Sequence, residues 1–131
     1  MAVGKTSLSA GYLIREILLE DPEVSQRTKR IFPVIADDAT MPYILYRRIG
    51  FGQTAQKTAD FADTLSIEVV CVTEGYTEGL ELAEAIRNAL DGVKATSNDG
   101  ALRIRSCMLE DGEEGFEGDA CIQQLVFSIK I

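Results

Sequence analysis

The stretch DTLSIEVVCVTEGYTEGLELAEAIRNALDG, residues 63–92, decides the fold. Its first third alternates, with Leu65, Ile67, Val69 and Cys71 set against Ser66 and Glu68. A period of two is that of a half-buried strand. After Gly75 the period lengthens: Tyr76, Leu80, Ala83, Ile86 and Leu90 fall on one helical stripe, while Glu78, Glu81 and Arg87 fall towards the other side. Gly92 is placed to end that helix.

Working outward towards the N-terminus, Leu8, Tyr12, Leu13, Ile17 and Leu18 recur at helical spacing over residues 8–19, with Ser7 or Ser9 as a cap. Asp21-Pro22 stops this helix and starts a short second turn with Pro at its first position. RIFPVIADDATMP (30–42) carries two prolines and reads as a short extended piece followed by a loop. Residues 42–50 (PYILYRRI and the glycine after it) read as a strand. A polar stretch, Gly50–Ala62, separates it from the strand at 63–73.

Towards the C-terminus, residues 101–109 read as a strand with Leu102, Ile104 and Met108 in phase. The chain ends in another, where Leu125, Phe127, Ile129 and Ile131 share a face. The order is α-β-β-α-β-β. Consecutive strands joined by turns predict an α+β two-layer sandwich: a mainly antiparallel four-stranded sheet with two helices on one face. We read residues 1–131 as one domain, with 1–7 a flexible tail and 50–62 a long loop or arm.

Composition narrows function by exclusion. The net charge is −8, so there is no generic attraction for a phosphate backbone or an anionic bilayer. No apolar run is long enough to span a membrane. The start MAVGKTSLSAGY lacks the apolar segment of an export signal, so export is not expected. There is no histidine, which removes the commonest general base and every Ser-His or Cys-His nucleophile. The three cysteines include no CxxC pair and read as reduced, packed thiols.

The apparent motifs mostly dissolve. VGKTS (3–7) imitates the end of a phosphate-binding loop, but no strand can precede it. Six of the ten residues from Glu110 to Asp119 are carboxylates, yet their spacing does not fit a calcium loop. With Gly112, Gly115 and Gly118 among them, they read as a solvated hairpin loop. A carboxylate-based divalent-metal enzyme is the least favoured reading, and no cofactor is expected. Arg47, Arg48, Arg103 and Arg105 read as partners for the abundant carboxylates.

Two features remain, and both point to assembly. Gly50–Ala62 is long for a hairpin connection and carries Phe51 and Phe61 among polar residues. Phe51, Gln53, Gln56 and Phe61 are the residues we expect to touch a neighbouring subunit. The second is the presumed outer face of the sheet, to which we assign Ile44, Tyr46, Val70, Val72, Ile122 and Val126. A contiguous apolar patch there would mark a protein contact. A cellular homo-oligomeric adaptor would use the same face.

The runs LIREILLEDPEV (13–24), RIFPVIADDATMPYILYRRI (30–49), ADTLSIEVVCVTEGYTEGLELAEAIRNAL (62–90) and LEDGEEGFEGDACIQQLVFSIKI (109–131) resemble the phage tail-completion proteins of long-tailed phages and prophages. The resemblance spans about Leu13–Ile131 and rests on element order and on short phrases such as RIFP, PYILY and FSIKI. It implies a subunit that caps the tail tube and joins it to the head connector as a six-membered ring. The long loop would reach the next subunit, and DNA would slide through an acidic channel without being gripped. The implied setting is the virion, and the host cytoplasm during assembly. No motif for the connector-facing surface carries over.

Overall fold

The computed structural model of the protein describes residues 4–35, 40–55 and 61–131. The chain enters through a 3-10 turn, Ser7–Ser9, whose first amides are capped by Thr6. Ser7 is buried and donates to Asp63, while Lys5 Nζ lies 2.7 Å from Asp99 Oδ2. Residues 4–7 are therefore tied to the body and are not the free tail expected of 1–7.

Helix α1 (Ala10–Glu20) buries Ala10, Leu13, Ile14 and Leu18. Its stripe is narrower than the sequence suggests: Leu8 and Tyr12 are 57% and 59% exposed. Asp21 ends α1 and caps the single turn α2 (Pro22–Ser25), its Oδ1 accepting from Glu23 N at 3.0 Å and Val24 N at 3.1 Å.

The sheet has five strands, one more than expected: β1 (Ile31–Pro33), β2 (Tyr43–Ala55), β3 (Phe61–Thr73), β4 (Ser106–Glu117) and β5 (Ala120–Lys130), in the order β1-β2-β3-β5-β4. The extra strand is the piece at RIFP, which pairs in parallel with β2; all other pairings are antiparallel. Helix α3 (Tyr76–Leu90) carries the chain from β3 across to the far edge, and β5 returns into the gap. The buried side of α3 is Gly79, Leu82, Ala83, Ala85, Ile86 and Leu90, so the helix is rotated relative to the expected stripe and leaves Tyr76 and Leu80 exposed.

One core lies between the helices and one face of the sheet, built from Leu13, Ile14 and Leu18, from Leu82, Ile86 and Leu90, and from Leu65, Ile67, Val69, Phe127 and Ile129. Each such side chain, fully buried, contributes roughly 1.5–3 kcal/mol from removal of its apolar surface from water. Ile44 and Tyr46 belong to this core, at 0% and 6% exposed. Our assignment of these two to the outer face was one residue out of phase; a slip of one inverts every side chain of a strand. Leu102 and Ile104 are also buried, but as a connecting segment before β4 begins at Ser106. Met108, expected in phase with them, is 61% exposed, and Cys107 points inward instead.

Candidate assembly surfaces

The helices α1, α2 and α3 pack on one side, and among the described residues no helix covers the other side of the sheet. Cross-strand register fixes what that side presents. One row runs Phe32, Leu45, Val70, Gln124, Glu113, and the next runs Tyr43, Val72, Ile122, Gly115. A third row is charged: Arg47, Glu68, Val126, Asp111. Arg47 lies 3.4 Å from Glu68 Oε1, and Gln124 Nε2 donates to Glu68 Oε2. The outer face is thus apolar at one end, with a hydrogen-bonded polar belt across its middle. Val70, Val72, Ile122 and Val126 lie where the sequence assigns them, and Tyr43 and Leu45 take the places given to Ile44 and Tyr46. Val72 is only 6% exposed, although it lies outside the main core cluster.

The expected long loop is mostly strand. β2 continues through Gly50 to Ala55, and β3 begins at Phe61, so the hairpin runs in register from Tyr43↔Val72 to Ala55↔Phe61. A bulge between Arg48 and Gly50 shifts the register, and bulges of this kind twist a hairpin's outer end away from the sheet below it. Phe51 is 49% exposed on this arm. Gln53 is exposed and donates to its own chain, Nε2 to Asp63 Oδ1 at 3.2 Å. Asp63 also accepts from Ser7, and its carbonyl accepts from Ile131 N at 3.1 Å, which ties both ends of the chain to the base of the arm. Gln56 lies outside the described residues; Phe61 opens β3 opposite Ala55.

The carboxylate cluster is also strand. β4 runs to Glu117, and the connection is only Gly118 and Asp119, with Gly118 at φ +61° as the turn requires. Gly112 and Gly115, expected to shape a loop, sit inside the ladder instead. Poor strand formers such as Asp, Glu and Gly are held there by pairing with β5. Asp91 Oδ1 accepts from Leu109 N at 3.0 Å and Gly92 N donates to Cys107 O at 2.7 Å, so the end of α3 covers the first part of this edge strand. From Asp111 onward the residues of β4 are exposed.

Among the described residues, no three His, Cys, Asp or Glu side chains converge as metal ligands. Glu114 accepts from Gln123 Nε2 at 2.9 Å and from Tyr76 Oη at 3.0 Å, and these bonds hold its carboxyl below the usual range. The same contact raises the Tyr76 hydroxyl. A carboxylate held ionised is a poor proton donor near neutral pH. What the site offers chemically is surface: an uncovered apolar sheet face, an arm, and an acidic edge.

These features define a class of small α+β domain, a mixed five-stranded sheet with helices on one face. The sequence profile of the family described as tail completion protein gp17 matches residues 13–131, and the chain belongs to that family of structural proteins of phage tail assembly. Among solved structures, the chain is similar to one from "Virion of native gene transfer agent (GTA) particle", with a TM-score of 0.73 and 14% identity over 89% of this chain and 90% of that one. At that identity the likeness shows the fold. No curated protein matches the chain by sequence.

Proposed function

We propose that this protein caps the head-proximal end of a phage tail tube and joins it to the head connector as a six-membered ring of identical subunits. Its contacts would be protein to protein, with tail tube and connector proteins as partners, and DNA would pass through the ring without specific binding. Membership of the tail completion family supports the setting, as does likeness to a chain of a virion particle. The observation that carries the reading is the uncovered outer face, where Tyr43, Leu45, Val70, Val72 and Ile122 lie side by side. Apolar surface gathered on one sheet face is what a partner covers.

The arm supplies a second contact. Phe51, Gln53, Gln56 and Phe61 would reach a neighbouring subunit, a heterologous contact that closes into a ring when its rotation divides the circle. An acidic inner wall would let DNA slide, since like charge repels the backbone.

Deletion of the gene in its parent phage, followed by electron microscopy, tests the role. Filled heads lying apart from tails of abnormal length are expected. Normal infectious particles would remove the reading and favour a two-fold cellular adaptor using the same sheet face.

A further inference from the structure

A notch and a knob lie at opposite edges of the same sheet. The notch, about 290 Å³, opens where α1 meets the β1–β2 edge; Leu8, Tyr12, Pro33 and Val34 form its walls, with Arg47 and Arg48 on its rim. Its apolar walls are unusually wet: Leu8, Tyr12 and Val34 are 57%, 59% and 63% exposed. Val34 is held at φ +64°, a conformation in which a β-branched residue is a true outlier, while its N–H donates to Tyr46 O at 2.8 Å. The charged residues among its described lining, Arg47 and Arg48, are basic. Arg15 donates to Ile31 O at 3.2 Å, and Arg48 donates to Leu8 O at 3.1 Å. Among the described residues, Arg47 is the only arginine of these three with a carboxylate partner.

At the other edge, Phe116 is 75% exposed near the end of the β4–β5 hairpin, the most exposed of the large apolar side chains described. It is flanked by Glu113, Glu114 and Glu117, none of which has a basic partner among the described residues. By register Phe116 shares the phase of Cys121 and Thr73, on the helix-bearing side of the sheet, where the notch also opens.

We propose that Phe116 and its flanking carboxylates dock into the Arg48-rimmed notch of the next copy of this chain. The partner is a second copy for two reasons. The knob is acidic and the charged residues described at the socket are basic, although the chain as a whole, at −8, repels itself. The two parts also sit at opposite edges and on one side of the sheet, so a neighbour set edge to edge meets the notch without being turned over. Such a contact is heterologous and repeats around a ring. A rigid aromatic seated in a pocket with charges around it is the usual form of a dominant contact residue. The inference rests on the self-association proposed above and supplies a contact separate from the arm.

The test uses the full chain, at high concentration and within assembled tails, with thiols introduced beside the socket and the knob by Ser9→Cys and Glu117→Cys. A short bismaleimide then joins them; the three native cysteines are buried and stay silent. A ladder of covalent multimers is expected. It should be absent when Asn88→Cys on the exposed side of α3 replaces the socket thiol, and at least tenfold weaker with Phe116→Ser. In the chain without added thiols, Arg48→Glu should disperse the assembly, and adding Glu114→Arg, at the carboxylate on Phe116's own side of the sheet, should restore it. Assemblies of unchanged mass with no Ser9–Glu117 ladder would overturn this docking and leave the ring intact. An R48E chain that assembles like the parent would overturn it too. Absence of any assembly, in solution and in tails, would sink both readings. Phe116 and Arg48 are exposed, so a thermal melt matching the parent shows that these variants are folded.

Discussion

Ile67 and Phe127 pair across the inner face and are 1% and 0% exposed, whereas Glu68 and Val126, the next pair along the same two strands, look outward and are only half-buried. On both sides the strands carry valine, isoleucine and leucine in quantity. The inner side is dry because α1 and α3 lie on it, and among the described residues no helix lies on the outer side. Apolar residues along a strand therefore do not by themselves mark the core; the helices decide which of them the fold buries.

The largest expected effect lies inside. Phe127→Ala removes a fully buried ring and should cost about 3–5 kcal/mol, read by urea unfolding, whereas Val126→Ala should cost less than about 1 kcal/mol. Equal costs would break the contrast between the faces. Next comes the seam where β3 hands over to α3. A Cβ at Gly79 would stand 2.7 Å from Thr73 Oγ1, a fully buried hydroxyl that donates to Gly75 O at 2.8 Å. Gly79→Ala should cost roughly 1–3 kcal/mol by overpacking, and part of that cost should disappear in a Thr73→Ala background. A smaller effect is expected at the cap. Asp21→Ala leaves Glu23 N and Val24 N without their acceptor and should cost about 1 kcal/mol.

The same contrast explains what could be read from the sequence. Residues 63–73 were legible because Ser66 and Glu68 mark the wet side and the flanking positions are apolar. The strand at 43–46 was not: Tyr-Ile-Leu-Tyr is apolar or aromatic at both parities, since one parity packs in the core and the other lies half-buried on the outer face of the sheet. Nothing local reveals which is which. Gly11 fits the outcome: an added Cβ there would stand 3.0 Å from the Tyr46 ring, so the glycine lets α1 lie close on that residue.

The acidic strand reads as loop for a related reason. Six carboxylates and three glycines have low strand propensity, and the partner that overrides it, β5, follows only after a two-residue turn. β1 reads only as a short extended piece, because three residues carry no period. Of the expected contact residues, Val70, Val72 and Val126 share the outer face and Phe51 and Gln53 stand on the arm. The notch was invisible: Leu8 and Tyr12 match a buried helical stripe, and only the position at which α1 begins leaves them outside.

The finest test sets two neighbours in one strand against each other. Cys71 faces inward, and burial pushes its thiol up to about 12 from an ordinary 9.0; Cys107 is pushed up to about 12 as well, by burial and then by the nearby Asp91 carboxylate. The thiolate is the reactive form, so neither should react with iodoacetamide in the folded chain at pH 8. A thiol introduced by Val70→Cys, one residue from Cys71 on the uncovered face, should react within minutes in the free chain. It should become protected in assembled tails if that face is a contact, and continued labelling there would take the outer face out of the interface. Alkali gives the complementary reading. Because the folded values lie above the unfolded ones, these thiols support the fold fully below about pH 9, and their contribution falls as pH rises towards about 12. The slope should be on the order of 1 kcal/mol per pH unit for each thiol, and Cys71→Ala should remove one share of it. An alkaline slope unchanged by that substitution would mean that Cys71 is less sealed than its neighbours on the inner face.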